Sequence, residues 1–60
     1  MFESYPDVVT VIELAKMLNV GRNTAYELVR SGAVKSITIG RQIRIAKSSV
    51  IELINKNKSD

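Results

Sequence analysis

Between Leu18 and Gly32 the chain reads LNVGRNTAYELVRSG, and its polar side chains are of types that recognise rather than catalyse. An arginine can pair with guanine O6 and N7, and an asparagine with adenine N6 and N7. A glycine at a helix start leaves backbone N–H groups open to an anion. With Ala25, Leu28 and Val29 turned inward, a helix from Arg22 presents Arg22, Asn23, Tyr26, Glu27 and Arg30 outward, with Thr24 at the margin. Arg22 and Asn23 are placed for base edges. Thr24 and Tyr26 are placed for phosphates, beside the open backbone after Gly21. A second basic group, Arg41, Gln42, Arg44 and Lys47, follows within the same half of the chain. The sober alternatives are a solvated helix end and a hairpin whose charges guard its edges.

Composition removes most other chemistry. The chain has 60 residues, no cysteine and no histidine. Disulfides, thiolate catalysis, histidine bases and the usual zinc sites are therefore excluded. The six carboxylates are scattered, and the serines have no histidine to activate them, so no catalytic residue, metal site or cofactor is expected. A domain of this size buries only about 60% of its unfolded surface, too little to hold a deep substrate pocket. No apolar run approaches the roughly 20 residues of a membrane span, and the N-terminal MFESYPD lacks the apolar core of a signal peptide. Neither a membrane nor a small-molecule effector is expected as a partner, and the expected location is the cytoplasm.

The net charge is +3, unevenly placed. From Gly21 to Lys47 stand Arg22, Arg30, Lys35, Arg41, Arg44 and Lys47 against Glu27 alone; the rest of the chain is mildly acidic. A basic middle between acidic ends points to a polyanion-facing surface.

The elements that position these residues follow from periodicity. Residues 1–8 form an expected loose lead-in, broken at Pro6. Thr10-Val-Ile-Glu13 has the form of a capping box, and Val11, Leu14, Ala15 and Leu18 share one helical face, which predicts a helix over 10–18. Asn19-Val20-Gly21 interrupts it. A second helix covers 22–31, with Gly32 expected as a left-handed cap. The pattern then changes to period two. Ile37, Ile39, Ile43 and Ile45 predict a hairpin, 36–39 with 43–46. For all four to share the inner face, Ile39 must oppose Ile43 and Ile37 must oppose Ile45 across a three-residue loop, with Thr38 and Arg44 outside. A closing helix is expected over 48–57, with Ser48 or Ser49 as its cap and Val50, Leu53 and Ile54 inward. Ile12 falls off the core stripe, and with Met17 near it is a possible contact spot for a partner. The whole is an α+β winged helix-turn-helix domain over 9–57, followed by a short tail, 58–60.

The run VTVIELAKMLNVGRNTAYELVRSGAVKSITIGRQIRIAKSSVIELI resembles the excisionase-type winged helix-turn-helix family, which is related to the DNA-binding heads of MerR-type regulators. The matching pieces are Thr10 to Leu18, NVGRNTAYELVRSG, the IGRQIRI wing and the closing helix. The family usually has serine where Gly21 stands and a polar residue where Ile12 stands; it often has arginine at Gln42 and aspartate at Ser49. The resemblance implies a bacterial or phage-encoded, nucleoid-associated protein. It would bind double-stranded DNA with neighbouring copies on tandem sites, bend it, and steer a cognate integrase toward excision of a phage or mobile element. The chain's end at Asp60, soon after the third helix, favours a stand-alone architectural factor over an effector-sensing regulator. A small transcriptional repressor of the same fold is the nearer alternative, and a protein-interaction adaptor or antirepressor the more distant one.

Overall fold

The structure is a computed structural model that describes residues 2–58. Its elements in chain order are β1 (Val8–Val9), α1 (Val11–Leu18), α2 (Arg22–Arg30), β2 (Ser36–Ile39), β3 (Gln42–Ala46) and α3 (Lys47–Lys58). The three strands form one antiparallel sheet in the order β1-β3-β2. The architecture is the expected α+β winged helix-turn-helix.

Local chemistry explains the helix limits. The Thr10 hydroxyl accepts the Glu13 N–H at 3.1 Å, and the Glu13 carboxylate accepts the Thr10 N–H at 2.9 Å. This reciprocal box satisfies two groups that a helix start would otherwise leave open. At the far end Asn19 turns left-handed (φ 56°), and Val20 N–H returns to Ala15 O at 2.9 Å. Gly32 ends the second helix in the same way, at φ 81°, as expected. Ala33 N–H donates to Leu28 O and Gly32 N–H to Val29 O, so these two carbonyls of the last turn of α2 are paired.

The core is small. Val9, Leu14, Ile45 and Val50 are fully buried, joined by Val11, Met17, Ala25 and Val34. Each large side chain so buried contributes about 1.5–3 kcal/mol. Met17 is therefore core and not part of a contact spot with Ile12.

The hairpin departs from expectation in a way that matters for the surface. Ile39 pairs with Gln42, Thr38 with Ile43, Ile37 with Arg44 and Ser36 with Ile45. The loop is thus two residues, Gly40-Arg41, and β3 begins one residue early. Gly40 has φ 62°, whereas Arg41 is not in the left-handed region. A glycine with positive φ at the first turn position is the pattern of a type II′ turn, whose twist matches the strands it joins. Turn geometry has overridden the parity of the isoleucines, and a one-residue shift moves a strand's side chains to the other face. Ile37 and Ile39 lie outside with Arg44 and Gln42, while only Ile43 and Ile45 face inward.

Val8–Val9 pair with Ala46 and Ile45 as a third strand. The lead-in is packed: Phe2 and Tyr5 meet edge to face, their centroids 5.9 Å apart, and both rest against the core. Ser49 lies inside α3, which already starts at Lys47, and so does not cap it; its hydroxyl accepts the Lys35 N–H. Lys58 belongs to α3, and the rest of the expected tail lies outside the described residues.

Candidate nucleic-acid interface

The start of α2 is open. Gly21 is its N-cap in extended conformation (φ −73°, ψ 163°), with no side-chain bond to the helix. The first intrahelical bond runs from Ala25 N–H to Gly21 O, so the N–H groups of Arg22, Asn23 and Thr24 have no partner within the helix. They gather at the positive end of the helix dipole, where an anion is favoured. Around them Arg22, Asn23, Thr24, Glu27 and Arg30 are exposed, and Tyr26 is 39% exposed. Their side chains make no hydrogen bond or ion pair among the described residues. Ala25, fully buried, fixes this orientation by seating the opposite face in the core, where Leu28 and Val29 are half-buried.

The wing presents a more organised surface. Arg41 occupies the turn. The Arg44 guanidinium donates to the Gln42 side-chain oxygen and to Ile43 O, so Gln42 and Arg44 act as one unit on the outer face of β3. β1 reaches only Ile45 and Ala46, which leaves the Gln42–Arg44 stretch of β3 with an open edge toward the start of α1.

That open edge makes a groove. Ile12 from α1, Tyr26 from α2, and Arg41, Gln42 and Arg44 from the wing line it together. Guanidinium, amide and phenol groups line its walls beside the aliphatic Ile12. Ile12, off the core stripe and a candidate contact spot from its sequence position, owes its place beside Tyr26 to how α1 and α2 pack.

Lys47 stands apart from the other wing residues. Its ammonium donates to Tyr5 O at 3.0 Å and Phe2 O at 3.4 Å, and lies 3.9 Å from Asp7 Oδ1. Its side chain is only 18% exposed. It ties the N-terminal segment to the junction of β3 and α3.

The family model of the helix-turn-helix domain matches residues 8–58. The chain belongs to that family. It is a DNA-binding family without catalytic chemistry. A protein of Saccharopolyspora erythraea named "Probable excisionase" is 44% identical over 43 residues, covering 72% of this chain. A "Putative DNA-binding protein" of Mycobacterium tuberculosis, found in two strains, is 28% identical over 53 residues, covering 88% of this chain and 68% of its own length. This helix-turn-helix chain spans only 44% of the length of the excisionase relative. No solved structure matches it. No helix among the described residues is long and apolar enough to cross a membrane.

Proposed function

We propose that this protein is a sequence-specific reader of duplex DNA that works as an excisionase. It bends the end of a phage or mobile element and steers a cognate integrase toward excision. α2 enters the major groove, with Arg22 and Asn23 on base edges and Thr24, Tyr26 and the N–H groups after Gly21 on phosphates. Glu27 and Arg30 extend the same face. Arg41, Gln42 and Arg44 follow the neighbouring backbone into the minor groove. The observation that supports this reading is the exposed, uncapped start of α2 beside a groove that Tyr26 of α2 shares with Ile12 and the wing residues Arg41, Gln42 and Arg44. The excisionase role rests on the likeness to the Saccharopolyspora protein. Copies occupy tandem direct repeats in one orientation, in the bacterial cytoplasm at the nucleoid. Curvature favours the complex, because a bent duplex brings more backbone to the wing.

A salt titration tests the binding mode. Roughly five neutralised phosphates give a log–log slope of about −4 to −5, whereas a slope no steeper than about −1 overturns it. Footprinting on the element's own end then separates roles. Direct repeats support the excisionase. Inverted half-sites one helical turn apart, with a stable dimer in sedimentation, favour a repressor.

A further inference from the structure

The register of the wing leaves an apolar surface on the outside of the sheet. Ile37 and Ile39 are 61% and 62% exposed, and Val8, on the same face across β3, is 51% exposed. Ala46 and Arg44 lie between them, and Lys35 borders the same shallow groove, which no carboxylate lines. β2 is also the free edge of the sheet. Ala46 N–H donates to Lys35 O, and the two-residue turn closes on Ile39 and Gln42. By the alternation of an antiparallel ladder, the N–H and C=O groups of Ser36 and Thr38 point off that edge. Natural sheets blunt such an edge with a charge, a proline or a bulge inside the strand. Ser36–Ile39 contains none of these.

We propose that this edge and face receive an extended segment of another protein, added antiparallel to β2 as a further strand. Its β-branched side chains cover Ile37 and Ile39, and a carboxylate at the Lys35 end meets that ammonium. Charge identifies the occupant. Two copies of β2 paired about a two-fold axis bring Lys35 of each toward the Ile39–Arg41 end of the other, like charge toward like. A head-to-tail copy lacks a matching apolar surface, since the other exposed large hydrophobics among the described residues are Ile12 and Tyr26, both in the groove beside the wing. A duplex on α2 approaches the opposite edge of the hairpin, where β3 faces Thr10 and Ile12, and leaves β2 free.

The test uses the whole ¹⁵N- and methyl-labelled chain and a probe peptide, acetyl-Glu-Thr-Val-Thr-Val-Thr-Glu-amide. The expected result is saturable shifts at Ser36 to Ile39, with slowed amide exchange at Ser36 and Thr38. The analogue with lysine in place of both glutamates should bind about tenfold more weakly. Ile37→Thr, which keeps a β-branched side chain in the strand, should lower peptide affinity several-fold and leave salt-dependent duplex binding unchanged. The proposal is overturned by an absence of shifts, or by equal binding of the lysine analogue. Movement of the Ile37 and Ile39 methyl signals with protein concentration alone, which marks a second copy, overturns it too. So does their movement with duplex alone, which marks a DNA surface. The duplex titration on the same sample reports separately whether DNA binding stands.

Discussion

The backbone N–H of Lys35, at the root of the wing, donates to the Ser49 hydroxyl of α3 at 2.8 Å, fourteen residues away in sequence. Ser49 is buried, and Lys35 O at the same point accepts from Ala46. One hydroxyl thereby fixes where the hairpin leaves the helical body. Ser49→Ala removes the acceptor and leaves the Lys35 N–H unsatisfied, a cost of about 1–3 kcal/mol. Urea unfolding should show that loss. An unchanged midpoint would mean that water replaces the hydroxyl without penalty.

Lys47 gives a prediction that separates structure from binding. Lys47→Met keeps the aliphatic stem but deletes the ammonium that holds Phe2 O and Tyr5 O. Stability should fall by about 1–2 kcal/mol, the range for bonds to a charged group that is not wholly buried. The slope of DNA affinity against salt should stay the same. A slope reduced by about 1 would place Lys47 on a phosphate instead.

The two halves of the interface should fail differently. Arg22→Ala and Asn23→Ala should each cost about 1–3 kcal/mol on the cognate site and relax its sequence preference. Arg41→Ala and Arg44→Ala should weaken specific and unrelated duplexes alike; Arg44→Ala also frees Gln42 from its partner. Competition binding with both duplexes checks this. Equal losses for Arg22→Ala on the two DNAs would count against base reading at that position.

Two glycines should respond in opposite directions. At Gly21 the backbone suits any residue, and an added Cβ meets nothing within 4 Å. Gly21→Ser can cap α2 and should stabilise the fold by about 0.5 kcal/mol, or a few degrees in Tm. Gly32 is equally uncrowded, but its φ of 81° disfavours any side chain. Gly32→Ala should cost about 1 kcal/mol. Thermal melts of both variants make the comparison.

These cases also show what could be read from residues alone. The Thr10–Glu13 box, the Gly32 cap and the outward set on α2 are local features, settled within one or two turns of chain, and each was legible. The register was not, because two local rules compete there. Parity favours Ile39 against Ile43, and glycine at Gly40 favours a two-residue turn; the turn prevails, and Ile37 and Ile39 are left on the outer face. β1 was invisible for another reason. Two valines carry no periodicity, and they become a strand only because β3 is there to receive them. The groove at Ile12 and Tyr26 is a tertiary product in the same sense.

The short reach of β1 makes the wing a cantilever. Near Ile45 and Ala46 the central strand is clamped on both sides, whereas from Arg44 outward a single ladder carries it. Amide exchange should therefore quicken in steps from Ile45 toward Gln42, with the root as rigid as the core and the tip compliant. A compliant tip conforms to grooves of differing width, while the helix beside it, seated by Ala25, cannot. In the proposed binding mode, discrimination between sequences then falls mainly to the stiff member, and tolerance of varied flanking DNA to the springy one.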